Sequence, residues 1–210
     1  MRVTIPLLSV ALLAPLAAAT SQPADAPLPN EAQLRAMTAR FAPYTVKVDT
    51  SELPANEKLA LAKMVEAAKI VDAIFLRQVA PLNISYLTQL AVDDTPLGRA
   101  RLHYFMLNKG PWSRLDHHTA FLPGVGTKPA GANYYPADAT REELEAWINS
   151  LPADQKEQAT GFFTIFRRNP AGGFQLTPYN LAYQAELQAM ARLLNQAADA
   201  TTQPTLKNFL

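Results

Sequence analysis

The sequence predicts a mainly α (α+β) fold: a helical domain with one β-hairpin and a long loop rich in Pro, Gly and aromatic residues. Three observations carry that expectation. Apolar residues recur at helical spacing from Ser51 to Val79 and again from Tyr179 to Ala200, the period of an amphipathic helix. Two β-prone runs, Phe162 to Arg168 and Phe174 to Thr177, flank Asn169-Pro170-Ala171-Gly172-Gly173, which reads as a hairpin with a five-residue loop. Residues 112–138 hold Pro123, Gly124, Gly126, Pro129, Gly131 and Pro136 among Trp112, Phe121, Tyr134 and Tyr135. No helical or strand period survives there.

In chain order, Arg2 and the apolar stretch Ile5 to Ala19 form a Sec-type leader, with Ala17-Ala18-Ala19 as the small-residue cleavage pattern. Cleavage is placed after Ala19, so that residues 1–19 are a signal peptide and the protein works in the periplasm or is secreted. The stretch is shorter than the ~20 apolar residues of a spanning helix and contains Pro6 and Pro15. No cysteine follows to carry a lipid, and no later stretch is apolar enough to span a membrane. Residues 20–29, rich in Pro, Ala and Ser, read as a flexible tether. The domain then runs over residues 30–210.

Asn30 with Gln33 forms a capping box ahead of Leu34, Met37 and Phe41, and Pro43 ends that helix. In the long helix from Ser51 the predicted buried stripe is Leu61, Met64, Val65, Ala68, Val71, Phe75 and Val79, closed by Pro81. Shorter helices are expected over Ser85 to Ala91 and from Thr95-Pro96 to about Leu107, where Gly110-Pro111 stops the chain. Thr140 with Glu143 opens a helix that buries Leu144, Trp147, Ile148 and Leu151, and a second runs from Ala153 to about Thr160, before Gly161. The last long helix carries Leu187, Met190, Ala191, Leu194 and Ala198 on one stripe. Pro204 starts another helix whose apolar face, Leu206, Phe209 and Leu210, is only beginning when the sequence stops. The expectation is a polypeptide that naturally continues.

The sequence of 210 residues holds no cysteine, so burial of apolar side chains must stabilise it without disulfides. Lys and Arg number 19 against 18 Asp and Glu, with no long basic run, which argues against a nucleic-acid partner. His103, His117 and His118 are not followed by Glu and lack the one-turn spacing of a hydrolytic zinc helix. There is no cysteine nucleophile and no nucleophile elbow. Gly124-Val125-Gly126-Thr127-Lys128 is Gly-rich but follows no strand and opens no helix, unlike a phosphate loop. Arg141-Glu142-Glu143-Leu144-Glu145 superficially matches the metal-binding helix of nudix hydrolases, but Glu143 stands where an apolar residue belongs and Ala146 replaces an acid. These acids suit the first turn of a helix, where its dipole favours negative charge. No catalytic residue and no metal ligand is therefore expected in this chain.

More distinctive are Asp72-Ala73-Ile74-Phe75-Leu76-Arg77-Gln78, Pro96-Leu97-Gly98-Arg99-Ala100-Arg101, and above all Asn108-Lys109-Gly110-Pro111-Trp112-Ser113-Arg114-Leu115-Asp116. Phe121-Leu122-Pro123-Gly124, Lys128-Pro129-Ala130-Gly131-Ala132-Asn133-Tyr134-Tyr135-Pro136 and Ala159-Thr160-Gly161-Phe162-Phe163-Thr164 follow. Together, from about Phe41 to Leu210, they resemble the N-terminal part of exported bacterial relatives of the dipeptidyl-peptidase III family of zinc peptidases. The resemblance implies a lobe of a larger two-lobed peptidase fold, one wall of a cleft that receives a peptide substrate. The family's zinc helix, His-Glu-x-x-Gly-His, and its further Glu ligand lie C-terminal to the matched part. Zinc is thus implied for the full-length protein, with no cofactor in this chain, which is expected to be inactive alone.

The segment Gly131-Ala132-Asn133 is similar to one that holds the substrate backbone, which implies substrate-binding roles for Asn133 and Tyr134. An Asn amide offers donors and an acceptor suited to a peptide backbone. Lys109 and Arg114, with Lys128, could attract a carboxylate. A second reading is an exported helical module without catalysis that binds a peptide or partner protein through residues 112–136. The reading frame beyond Leu210 separates the two.

Overall fold

The structure, a computed structural model, describes residues 27–210; the leader at residues 1–19 and residues 20–26 of the tether lie outside the described residues. The described residues are mostly helical, and their strands form two small antiparallel pairs.

Helix α1 (Glu31–Thr38) opens on the predicted capping box, in which the Asn30 side chain and Gln33 satisfy each other's backbone N–H groups. It ends at Thr38 rather than at Phe41, because the Phe41 N–H turns back to the Thr38 carbonyl at 3.0 Å. Helix α2 (Ala55–Val79) begins after Pro54 and not at Ser51. The Asp49 carboxylate accepts from the Ser51 N–H at 2.8 Å, which diverts the backbone into a turn that competes with helix. Helices α3 (Asn83–Ala91) and α4 (Pro96–Asn108) follow. Thr95 caps α4 through the Gly98 N–H at 2.9 Å, and Lys109 ends it in the left-handed region at φ 55°.

Residues 112–138 contain regular structure that no sequence period announced. Strand β1 (Trp112–Ser113) pairs antiparallel with β2 (Thr119–Ala120) across a single 3-10 turn, Arg114–Asp116. His117 and His118 complete that turn in left-handed conformations, φ 51° and 62°. Helix α5 (Arg141–Ser150) opens at Thr140, whose side chain accepts from the Glu143 N–H, and α6 (Ala153–Thr160) follows Pro152 with no side-chain cap. Glu143 does not close its capping box, since its carboxylate goes to Arg168 at 2.7 and 2.9 Å. The predicted hairpin is present as β3 (Thr164–Arg168) and β4 (Phe174–Pro178), with Arg168 opposite Phe174. The final helical run is divided into α7 (Tyr179–Ala182) and α8 (Gln184–Ala200), broken at Tyr183 by φ −124°. Helix α9 (Pro204–Phe209) starts at the expected proline.

The longest contact joins α2 to α8. Asn56 near the start of α2 donates to the Ala200 carbonyl at 3.2 Å, and Arg77 near its end pairs with Glu186, so the two helices run antiparallel. On α2 the buried positions are Ala60, Ala67, Ile74 and Leu76. This corrects the predicted stripe: Leu61, Val65, Val71 and Phe75 are all exposed. The core cluster sits beside that pair, where Leu34, Leu76, Leu90, Tyr104, Phe105, Phe121 and Leu122 meet. Phe121 and Leu122 bring the long loop into this core. A second aromatic group forms under the hairpin, where the Trp147 ring packs edge-on against Phe166 and Phe174, at 5.9 and 5.5 Å.

Candidate functional site

Two features meet at the C-terminal end of α2: a cavity under the α4–β1 turn, and the anchored segment around Asn133. Asn83, fully buried, connects them to the core. Its amide donates to the Leu76 and Lys109 carbonyls, each at 3.0 Å, which ties the last turn of α2 to the residue that ends α4.

The cavity measures about 240 Å³. Val79 and Trp112 give it apolar wall, and Asn108 and Gly110 contribute polar surface. Arg114 and Lys128 make the rest cationic beside the His118 imidazole, with no Asp or Glu in the lining. The segment Asn108 to Arg114 folds this way because Asn108 is buried and used on both sides of its amide. Its Nδ2 donates to the Tyr104 carbonyl at 2.8 Å, and its Oδ1 accepts from the Arg114 N–H at 2.9 Å. The Arg114 Nε donates to the Asn108 carbonyl at 3.1 Å, which aims the guanidinium along the cavity rim. The Trp112 indole N–H donates to the Gly126 carbonyl at 2.8 Å and so fixes the ring.

Burial pushes the His118 imidazole below its ordinary pKa, and the positive charges of Lys128, Arg114 and His117 push the same way. The cavity therefore disfavours further positive charge. A neighbouring network holds the floor of the turn. Arg40 pairs with Asp116 at 2.8 Å, Asp116 accepts from the Ser113 hydroxyl, and Ser113 shares a 2.6 Å bond with the buried Tyr104 hydroxyl. Hydrogen bonding to Arg40 draws the Asp116 carboxyl down to about 2, and the Ser113 bond adds to that effect.

The predicted site residues divide between these features. Arg114 lines the cavity, and Lys128, named beside it from the sequence, does too. Lys109 lies next to the cavity but pairs with Asp72 at 2.7 Å. Asn133 is partly buried and bound internally. Its N–H donates to the Gln78 carbonyl at 2.9 Å and its Nδ2 to the Arg77 carbonyl at 2.7 Å. Its own carbonyl and Oδ1 accept from Arg167, at 3.0 and 3.3 Å. Tyr134 stacks on Tyr179, ring centroids 6.5 Å apart, while its carbonyl accepts from the Phe166 N–H at 2.7 Å. Burial raises the Tyr179 hydroxyl to about 12, with the neighbouring tyrosines adding to it. Sequence reasoning missed His118, Trp112 and Val79 as cavity residues.

Among the described residues no group of three or more His, Asp or Glu side chains is placed to hold a metal ion. The α5 acids that resemble a nudix helix are drawn into ion pairs, Glu145 with Arg141 and Glu143 with Arg168. No helix of the described residues is long and apolar enough to cross a membrane.

No protein-family model matches the chain. Among curated proteins, Nudix hydrolase 3 of Arabidopsis thaliana is 30% identical over 226 residues, which cover 84% of this chain and 29% of that protein. Among solved structures, dipeptidyl-peptidase III from Caldithrix abyssi matches at 38% identity and a TM-score of 0.78, over 83% of this chain and 33% of that one. Dipeptidyl-peptidase III from Corallococcus sp. strain EGB matches at 55% identity and a TM-score of 0.83, over 87% of this chain and 34% of that one. In sequence and in backbone, therefore, this chain resembles dipeptidyl-peptidase III over most of its own length and spans about a third of those proteins.

Proposed function

We propose that this chain is the cleft-forming, N-terminal portion of a dipeptidyl-peptidase III-like zinc hydrolase that acts on peptides outside the cytoplasm. The observation that carries the reading is 55% identity with a backbone TM-score of 0.83 to a structure of dipeptidyl-peptidase III. Zinc is the metal that this family implies. The donors among the described residues do not fit it: His117 and His118 are adjacent left-handed turn residues, and there no acid joins them or His103 in a cluster. We assign the metal and the water it activates to the part of the enzyme that this chain does not match, and no chemical step to the residues described above.

What this chain supplies is binding. Arg114 and Lys109 give positive charge beside the cavity, and Asn133 and Tyr134 form the second contact area at the end of α2. Asn133 keeps capacity for a ligand, since only one of its two Nδ2 hydrogens is engaged internally.

The test has two arms. The chain alone, dialysed and then supplied with zinc, is assayed for release of dipeptides; none is expected, and chelator-sensitive release would overturn the division of labour. The same chain joined to a portion bearing His-Glu-x-x-Gly-His is expected to release dipeptides. Absence of hydrolysis from that folded, zinc-loaded polypeptide would overturn the peptidase reading.

A further inference from the structure

We infer that the cavity walled by Val79 and Trp112 is a carboxylate site that takes the free C-terminus of a peptide. The inference deepens the peptide-binding reading above and rests on it. The first argument is charge. Arg114, His118 and Lys128 face one cavity, and none of the three has an acidic partner among the described residues. Around the same region Arg40 is matched with Asp116, Arg77 with Glu186 and Lys109 with Asp72, so the acids that border the cavity are already engaged. The nearest acid along the chain, Asp116, is held by Arg40 and Ser113. The charges of Arg114 and Lys128, gathered without a counter-ion beside the neutral His118 imidazole, repel each other, and an entering anion relieves that repulsion.

The second argument is shape. A volume of about 240 Å³ corresponds to roughly eight waters of liquid. That holds a carboxylate with one aliphatic side chain and is too small for a nucleotide. One wall is apolar, and the Trp112 ring is locked by its bond to Gly126, so it presents a fixed surface with no donor to spare. A phosphate would leave that wall unused, whereas a C-terminal Leu or Val fills both halves. Arg114 spends only Nε internally, which leaves its two terminal nitrogens for a carboxylate.

The backbone gives a third observation. Of the four non-glycine residues with positive φ among the described residues, Lys109 ends α4 and His117 and His118 close the β1–β2 turn, the two turns on either side of Trp112, and His118 itself lines the cavity. Such conformations cost free energy and persist where the surroundings over-determine them.

The experiment is calorimetric titration of the chain with N-acetyl-leucine, N-acetyl-leucinamide and inorganic phosphate, repeated with Ala-Ala-Ala-Leu as free acid and as amide. The expected result is binding of the two free acids, with each amide at least about tenfold weaker, the value of a lost charged hydrogen bond. Phosphate is expected to bind more weakly than N-acetyl-leucine, and rising salt to weaken the acids. The variant Lys128→Gln is expected to weaken them about tenfold, with the circular dichroism spectrum unchanged. Equal affinity for acid and amide would overturn the carboxylate site while leaving peptide binding standing. Phosphate binding as tightly as N-acetyl-leucine would overturn it in favour of a phosphate site. Silence from both tetrapeptides would overturn the site and the peptide-binding reading together.

Discussion

Replacing Asn133 by Ala tests whether the long loop is pinned to the end of α2 by one side chain. The substitution removes two bonds and leaves the backbone bonds of residue 133 in place. One is the 2.7 Å bond to the Arg77 carbonyl, the other the 3.3 Å bond from the Arg167 guanidinium. A neutral bond contributes about 1 kcal/mol, and one to a charged group about 1.5–3 kcal/mol. The guanidinium bond is long, so its low end applies, giving about 2–3 kcal/mol in all. The Arg77 carbonyl lies in the last turn of α2, where no helical N–H replaces the lost donor. Arg167 is partly buried, and burial already disfavours its charge, so the loss of an acceptor is felt there. For a domain of this size about 1 kcal/mol moves the melting temperature by ~2–4 °C, so a fall of about 5–10 °C is expected. Thermal unfolding followed by circular dichroism, with a urea series to check that m is unchanged, measures it. A fall under about 2 °C would refute the pinning argument and leave ligand contact as the role of this amide.

Three further outcomes are expected. The Asp116 carboxyl is depressed to about 2 by Arg40 and Ser113, so its stabilisation is present above the unfolded value near 3.9 and is lost as pH falls towards about 2. Melting temperatures of wild type and Arg40→Gln should therefore differ above about pH 4 and converge in acid; a constant gap would refute the linkage. Gly98→Ala should lower the urea midpoint by an amount worth about 1–3 kcal/mol, because a Cβ there would stand 2.5 Å from the Asp93 carbonyl oxygen. An unchanged midpoint would mean that this turn yields freely. Exported protein should begin at Thr20 by intact mass, and protein that keeps Met1 in a membrane fraction would sink the cleavage assignment.

The helices were legible where a cap declares them. Asn30, Thr95 and Thr140 each accept the backbone N–H that their residue type is suited to accept. The hairpin was legible for a related reason: Asn169 Oδ1 accepts from the Ala171 and Gly173 N–H groups, both at 3.0 Å, and so organises the loop that its neighbours announce. Helix α2 misled because it is apolar on two sides. The larger residues form the stripe that a period count finds, yet the positions buried on α2, whose most extensive contact is with α8, are Ala60, Ala67, Ile74 and Leu76. Strands β1 and β2 have two residues each, too few to carry a period.

Of the site, Arg114 and Lys128 could be named because a charge is a property of the residue itself. His118 could not, since its left-handed backbone and its burial among cations exist only in the fold. Asn133 read as a ligand contact because an amide is chemically open. That it reaches residues 56 and 34 positions away is information no local pattern contains.

The α2–α8 pair is fastened at both ends. Glu57 takes the Thr201 hydroxyl at 2.7 Å and the Thr202 N–H at 2.9 Å, while Arg77 holds Glu186 at the other end. The first fastening joins positions 144 apart in the chain. The Arg40–Asp116 contact closes a stretch of 76. Closure entropy grows only with the logarithm of loop length, about 0.6 kcal/mol per doubling, so the wider closure costs scarcely more than the narrower. The polypeptide between the two long helices is therefore nearly free, thermodynamically, to gain or lose surface residues. Kinetics run the other way, because distant contacts form late. α8 should dock after α1, α3 and α4 have assembled around Tyr104 and Phe105, and lengthening the excursion should slow that docking while leaving the finished domain about as stable as before.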